Sequence, residues 1–283
     1  MRIVVLGATG QLGAVVVHEL RGKADVVALD HAALDITAAD SVEPTLRSHR
    51  PDAIINCAGN NAVDAAEDHP VEALAANALA VRSLARAARA LDAVLVQYSS
   101  DFVFDGASDQ PHVETDAPNP RSVYAMSKML GEWFAADAPK HYVLRVESLF
   151  GTVPGGRPDK GSAATIVAAL RAGASPKVFE DRTVSPTYVM DAARATREML
   201  ERRVPFGLYH CVNSGACTWL EFALAAAELL RVEPRVTPVK FADVVTKAPR
   251  PKYCAMSNAK LTAAGIRMDS WRDALRRRLT SGD

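Results

Sequence analysis

The first twenty residues leave few choices of fold. Arg2-Ile-Val-Val-Leu6 is an apolar run of strand length, and Gly7-Ala-Thr-Gly10-Gln-Leu-Gly13 follows it at once. Ala14-Val-Val-Val-His-Glu-Leu20 then has helix composition. An unbroken apolar strand suits burial on both faces of a parallel sheet. Glycines permit a tight turn and let a pyrophosphate approach the backbone, and the N-terminus of the following helix faces that anion. Strand, glycine loop and helix in this order predict an α/β fold built on a doubly wound, Rossmann-type parallel sheet. The glycine spacing is Gly-x-x-Gly-x-x-Gly rather than Gly-x-Gly-x-x-Gly. Gly7, Thr9, Gly10, Gln11, Leu12 and Gly13 are the candidate dinucleotide contacts.

The next segments extend that reading. Asp25-Val-Val-Ala-Leu-Asp30 reads as the second strand, and Asp30 stands at the distance expected of a residue that accepts adenosine ribose hydroxyls. No arginine follows it to meet a 2′-phosphate, which favours NADH over NADPH. Asp35 and Ile36 are placed to border the adenine. Thr37-Ala-Ala-Asp40 has the pattern of a capping box opening a short helix. Pro51-Asp-Ala-Ile-Ile-Asn-Cys-Ala-Gly59 reads as a strand and its exit loop, where the small residues Cys57, Ala58 and Gly59 would let a cofactor lie against the backbone. A long alanine-rich helix is expected from Pro70 to about Leu91. Asn77 inside it is expected to brace the active-site strand at the cofactor site.

The chemistry is concentrated in Tyr98-Ser-Ser-Asp-Phe-Val-Phe-Asp-Gly106 and Tyr124-Ala-Met-Ser-Lys128. The first comes off the strand-like run Ala93-Val-Leu-Val-Gln97, so Ser99, Ser100 and Asp101 fall where a strand gives way to a loop. Ligands of open α/β sheets bind at such carboxyl ends. Tyr124 and Lys128 lie one turn apart on one face of a helix expected over 123–135. A free tyrosine titrates near 10, too high for easy proton transfer at neutral pH. A neighbouring ammonium favours the phenolate and lowers that value. With the Ser100 hydroxyl holding a substrate oxygen, the group is a general acid/base aimed at a carbonyl or an alcohol.

Composition narrows the partners. With 33 acidic and 33 basic residues the formal net charge is zero, which argues against nucleic acid or an anionic membrane as the main partner. No apolar run reaches membrane-spanning length, and the N-terminus lacks the apolar core of a signal peptide. The cysteines Cys57, Cys211, Cys217 and Cys254 show no metal spacing and read as reduced and cytosolic; no metal site is expected. Beyond a glycine- and proline-rich stretch from Gly151 to Gly161, a candidate lid, the pattern runs helix, short strand, helix, strand, helix. Glu180 to Tyr188 looks polar and turn-forming, Gly207 to Val212 like a strand, and Thr218-Trp-Leu-Glu221 like a capping box. The basic stretch Lys247-Ala-Pro-Arg-Pro-Lys252 either meets a substrate phosphate or is a solvated loop. No linker separates independent domains. Residues 1–150, rejoined by roughly 185–212, are expected to form the dinucleotide-binding part, and 151–283 mainly a small α/β substrate lobe.

Taken together, these motifs resemble the extended short-chain dehydrogenase/reductases, and within them the dTDP-4-dehydrorhamnose reductase family. The match runs through the Gly7/Gly10/Gly13 loop, Asn56-Cys-Ala-Gly59, Ala62-Val-Asp-Ala-Ala-Glu67, Tyr98 to Gly106, Glu114-Thr-Asp116, Tyr124-x-x-x-Lys128, Gly131-Glu132, Leu144-Arg145, Ser185-Pro-Thr187, Gly207-Leu-Tyr-His210, Trp219, Arg250-Pro251 and Trp271. The resemblance implies NADPH or NADH as cofactor, and reduction of a 4-keto group on a nucleotide-linked 6-deoxyhexose; a cytoplasmic homodimer is the candidate setting. Tyr124 is then the proton donor, and Lys128 lowers its pKa and holds the nicotinamide ribose. Ser100 stands where the family usually has threonine, and Asp101 matches its catalytic-loop aspartate. Ser99, Tyr124 and Lys128 join the cofactor contacts. Asn61, Val63, Asp101, Phe102, Phe104, Ser148 and Arg250 become the expected substrate contacts. The chain departs from the family where Thr-Ser-Trp-Val-Tyr is usual: it has Val146-Glu-Ser-Leu-Phe150. It also has Tyr124-Ala125 for Tyr-Gly and Asp181-Arg182 for aspartate-glutamine. Two other readings compete: a reductase or epimerase acting on a different nucleotide sugar, and a non-catalytic dinucleotide-binding regulator, which the presence of Ser100, Tyr124 and Lys128 opposes.

Overall fold

The structure is a computed structural model that describes residues 1–153, 159 and 161–280. The chain alternates strand and helix as the sequence predicts. β1 (Arg2–Leu6) leads to α1 (Gln11–Leu20), then β2 (Asp25–Leu29), α2 (Ala39–His49) and β3 (Ala53–Asn56). Two short helices follow, α3 (Val63–Ala66) and α4 (Pro70–Leu74). A five-residue π-helical segment, Ala75–Leu79, joins α4 to α5 (Ala80–Ala90). β4 (Val94–Ser100), α6 (Val123–Ala135) and β5 (His141–Val146) complete this half. Next come β6 (Leu149–Phe150), α7 (Ser162–Arg171), β7 (Lys177–Phe179), β8 (Thr183–Val184), β9 (Thr187–Tyr188), α8 (Val189–Arg202) and β10 (Gly207–His210). β11 (Cys217–Thr218), α9 (Trp219–Leu230), β12 (Thr237–Val239), α10 (Ala259–Ala263) and α11 (Trp271–Thr280) end the chain.

Six strands form one sheet in the order β2-β1-β3-β4-β5-β10, every neighbouring pair parallel. β10 thus brings the later chain back to the sheet. The strand order reverses between β1 and β3, and that is where an open parallel sheet forms its crevice. Ile3 and Val5 of β1 belong to the core that contains α1 and α8, whereas Val4 and Leu6 join the core of α2 and α5. Alternate residues serve opposite faces, and this is why the strand is apolar throughout. On α5, Val81, Leu84, Ala85 and Ala88 are buried at helical spacing. The other pairings are two-stranded: β11 with β8, β12 with β7 and β6 with β9. Among the described residues no helix is long and apolar enough to cross a membrane.

Several local expectations shift. Thr37 does not cap α2; its amide and hydroxyl both turn back to the Asp35 carboxylate at 2.9 and 2.7 Å, and the N-cap is Ala38. A turn closed on itself outcompetes the cap. The helix expected over 70–91 forms, but with the π segment at its centre. The polar stretch 180–188 carries the two-residue strands β8 and β9, too short for periodicity to show. The Thr218/Glu221 capping box is present. Of the candidate lid, residues 154–158 and 160 lie outside the described residues; Gly151 and Gly161 both donate their amides to the Asp159 carboxylate, at 2.6 and 3.0 Å.

A buried ion pair fixes α6 to the sheet. Arg145 on β5 grips Glu132 on α6 through two nitrogens, at 2.8 and 2.7 Å, and the Ser99 hydroxyl on β4 donates to the same carboxylate at 2.5 Å. Arg145 and Glu132 are 2% and 8% exposed, so removing one charge strands the other without water. The opposite side of α6 meets the π segment so closely that a Cβ on Gly131 would collide with the Asn77 carbonyl oxygen. We therefore expect Arg145→Met to destabilise the fold by about 3–5 kcal/mol, the typical cost of leaving a buried partner unpaired, measured by denaturant unfolding.

Candidate active site

β4, its exit turn and α6 build the site. β4 ends at Ser100, and its register beside β5 pairs Ser100 with Val146. Asp101 opens a 3₁₀ turn in which the Ser100 hydroxyl accepts the Phe102 amide at 3.2 Å and donates to the Asp101 carboxylate at 2.9 Å. α6 starts under two caps. Ser122 accepts the Ala125 amide at 3.2 Å, and Glu67 accepts the Val123 amide at 2.9 Å. The first turn of α6 carries Tyr124 and the second Lys128, both buried, as are Ser100 and Asp101. Tyr124 packs edge-on against Phe102, with ring centroids 5.4 Å apart, and its hydroxyl reaches Asn61 Oδ1 at 3.5 Å, the outer limit of a hydrogen bond.

The electrostatics depart from the sequence expectation. Lys128 points its ammonium at the Tyr98 carbonyl, 2.7 Å away. Burial pushes Tyr124 up to about 12; the Ser100 hydroxyl beside it lowers the value and the Asp101 carboxylate raises it. Ser100 therefore takes the part that the sequence gives to Lys128. Burial also pushes Lys128 down to about 8, against the raising pull of Glu132. The phenol is thus protonated throughout the physiological range, while the ammonium is close to titrating.

The nucleotide cradle is built where the strand order reverses. Gly7 has φ +66°, and a Cβ there would stand 2.7 Å from the Ala58 amide nitrogen, so the β1 and β3 exit loops touch. A Cβ on Gly13 would strike the Gly7 carbonyl oxygen. α1 begins at Gly10 with no side-chain cap. Its first-turn amides are thus left for an anion. These features fit a dinucleotide pyrophosphate. Thr9 is exposed and Leu12 buried. Gln11 spends its side-chain amide on the Gly151 carbonyl, at 2.9 Å. Asp30, just beyond β2, accepts the Ala33 amide at 2.9 Å. Asp35 holds Thr37, and Ile36 is in the core. Cys57 and Ala58 are half-buried and Gly59 is exposed. All four cysteines are free thiols.

Some expected contacts are occupied elsewhere. Ser99 holds Glu132, so its hydroxyl serves the α6 anchor rather than the cofactor. Asn77 accepts the Asn60 amide at 2.8 Å and donates to the Asn60 carbonyl at 2.8 Å and to Ser127 at 3.0 Å. It braces the β3 exit loop against α6, not the active-site strand. Phe104 is 2% exposed, stacked on His112 at 3.9 Å with the Arg145 guanidinium over its ring, which makes it a core residue. Arg250 grips Asp64 at 2.9 and 2.7 Å, and that grip holds the Asp64 carboxyl down to about 2. Lys247 pairs with Asp68, and Lys252 with Asp181 at 3.1 Å. Each of the three cations of the basic stretch is thus paired with a carboxylate, Arg250 with one on α3, Lys247 with one just beyond it and Lys252 with one after β7. Val63 and Phe102 flank Tyr124 in one small apolar cluster.

Sequence reasoning missed a buried polar group behind Ser100. Atoms of Asp101, Glu147 and Cys254 lie within 4.8 Å of one another. The Arg182 guanidinium supplies positive charge to all three. Arg182 is held by the Pro251 carbonyl at 3.1 Å. The available signal was an acidic residue, Glu147, directly after a strand that is mostly apolar. Beside it Ser148 adopts φ +44°, in the left-handed region.

Comparison with known proteins agrees with this geometry. The family model described as RmlD substrate binding domain matches residues 1–282. A dTDP-4-dehydrorhamnose reductase of Streptomyces griseus is 34% identical over 286 residues, spanning 97% of this chain and 91% of its own. A probable dTDP-4,6-dihydroxy-2-methyloxan-3-one 4-ketoreductase of Streptomyces antibioticus is 34% identical over 281 residues, spanning 98% and 94%. The crystal structure of dTDP-4-dehydrorhamnose reductase from Bacillus anthracis in complex with NADP superposes with a TM-score of 0.91 at 30% identity, covering 99% of both chains. With the model matched from end to end and relatives of this identity over nearly the whole length, the chain belongs to the RmlD, or dTDP-4-dehydrorhamnose reductase, family.

Proposed function

We propose that this chain is an NAD(P)H-dependent oxidoreductase that reduces the 4-keto group of a dTDP-linked 6-deoxyhexose. The observation that carries the reading is the convergence of Ser100, Tyr124 and Lys128 at the carboxyl edge of β4, next to the glycine cradle. When bound, the reduced nicotinamide supplies the hydride. Ser100 orients the keto oxygen, and Tyr124, protonated at working pH, gives that oxygen its proton. Lys128, one turn along α6, would hold the nicotinamide ribose through its ammonium. Gly7, Gly10 and the α1 N-terminus would hold the pyrophosphate, and Asp30 the adenosine ribose. In this reading residues 1–150 and 185–212 carry the cofactor, and the rest of 151–283 mainly covers the sugar; the return of β10 to the sheet supports that division. Cytosolic placement and pairing of two copies belong to the same proposal. Free thiols support the first, and exposed Val71, Leu79 and Trp133 on adjoining helices support the second.

Where the family usually has Thr-Ser-Trp-Val-Tyr and aspartate-glutamine, this chain has Val146-Glu-Ser-Leu-Phe150 and Asp181-Arg182, and these departures support a sugar other than that of the reductases it resembles. A relative named for a different dTDP-linked ketone fits a family in which the sugar varies. The direct test is oxidation of NADPH and NADH with dTDP-4-dehydrorhamnose and a panel of other dTDP-4-keto sugars. We expect turnover with at least one, and a fall of about 10²–10⁴-fold in kcat for Tyr124→Phe with cofactor binding retained; turnover of none would overturn the reading.

The value for Lys128 sets a pH dependence. The ammonium is charged below about 8 and neutral above it, so a ribose contact made by the charged form weakens as pH rises through that value. We expect NADPH affinity, followed by fluorescence titration, to fall across this window in the wild type, and to be weak and flat with pH in Lys128→Met.

A further inference from the structure

Two carboxyls are buried beside the active-site serine. Asp101 and Glu147 are 4% and 1% exposed. Glu147 Oε2 accepts the Ser185 amide at 2.7 Å, while Oε1 is buried without a hydrogen-bond partner among the described residues. An orphaned carboxylate oxygen is costly, whereas a protonated carboxyl there carries a donor that needs only one acceptor. A carboxylate oxygen of Asp101 lies within 4.8 Å of one of Glu147, so a small movement of either side chain would bring an acceptor to that donor. Asp101 in turn accepts from the Ser100 hydroxyl at 2.9 Å, and Ser100 stands beside the Tyr124 phenol.

We propose that Asp101 and Glu147 form a buried carboxyl pair that shares a proton and returns it to Tyr124 through the Ser100 hydroxyl. The proposal rests on Tyr124 as the proton donor of the reductase reading. The groups facing the pair are few. The Arg182 guanidinium is near enough to both carboxyls for its charge to favour their ionised forms. The Cys254 thiol reaches the Pro251 carbonyl at 3.4 Å, accepts from Arg182 at 3.7 Å and also stands within reach of the Asp101 carboxylate; Cys217 and Tyr253 feel the Glu147 charge from further strands and loops. One guanidinium can balance one carboxylate, so two carboxyls this close and this dry keep a proton between them. Burial, with the Asp101 charge beside it, holds Glu147 well above the usual range, and burial raises Asp101 too, in agreement.

The steps balance as follows. The keto carbon receives a hydride, and its oxygen receives the Tyr124 proton, giving the alcohol and a phenolate. The phenolate takes the Ser100 hydroxyl proton as Ser100 takes one from Asp101, and Asp101 takes one from Glu147. One proton has then left the pair, and solvent restores it on the Arg182 side, where that residue is half-exposed. Asp101 and Glu147 are positioning residues in this scheme, because they act through Ser100 and Tyr124.

Two measurements test the proposal. The first needs no substrate: infrared titration of the free protein should show a protonated carboxyl at pH 8 that is missing in Glu147→Gln. The second is single-turnover reduction of dTDP-4-dehydrorhamnose by NADPH, across pH and in mixtures of light and heavy water. We expect a curved dependence on deuterium content in the wild type, reporting several protons in flight. Glu147→Gln, which keeps an acceptor for Ser185, should give a linear dependence and, in a parallel steady-state assay, a kcat lower by about tenfold at pH 8 with unchanged KM. Absence of the carboxyl signal in the wild type, or a linear dependence there, overturns the pair whether or not the variant folds. A Glu147→Gln protein with wild-type pH profile and curvature also overturns it, while Tyr124→Phe stays inactive. A Tyr124→Phe protein at the wild-type rate sinks the donor reading itself, and the relay with it.

Discussion

The site depends on the ion pair between Glu132 and Arg145. Tyr124 and Lys128 stand on α6, Ser100 on β4, and their relative placement is only as firm as the contact between that helix and those strands. Arg145 supplies the contact with a two-nitrogen grip that bulk water scarcely reaches. The Ser99 hydroxyl extends it from β5 to β4, one residue before Ser100. On the other flank, Gly131 lets α6 approach the π segment, and Asn77 in that segment ties the β3 exit loop to Ser127. A buried pair of this kind adds little net stability over an apolar replacement. What it contributes here is a fixed geometry for groups that must meet within hydrogen-bond distance.

A second consequence concerns charge. The apolar packing that holds α6 also dries the site, and drying favours neutral forms. Tyr124 stays a phenol, and Lys128 is drawn toward neutrality, so the ammonium is stabilised chiefly by partners that present oxygens to it. The site is therefore set up as an acid, which suits the reduction of a ketone.

Much of this was legible in the sequence, for physical reasons that can be named. Elements with long periodic patterns were read closely: β1 and α6 fall at the expected residues, because an unbroken apolar strand and a helix with an N-terminal serine cap have strong local signals. The catalytic residues were legible because a strand end and a helical four-residue spacing are both local facts. What was not legible was three-dimensional competition for side chains. Ser99 and Phe104 neighbour in sequence the residues suited to meet ligands, yet Glu132 and His112 claim them. Arg250 looked free because Asp64, its partner, is far away in sequence. Asn77 was placed near the site, but its target depends on a π turn that composition does not reveal. Glu147 stood out only as an oddity, since its meaning comes from Asp101 and Arg182 on other segments.

Burial holds the active-site phenol protonated, so that it waits as an acid. A tyrosine ring-carbon NMR titration of the free protein, with the Tyr124 signal identified by its loss in Tyr124→Phe, should show a phenol that persists through pH 9 and changes only as pH approaches about 12. A phenolate signal at pH 7–9 would contradict it, and would return the lowering of that pKa to Lys128.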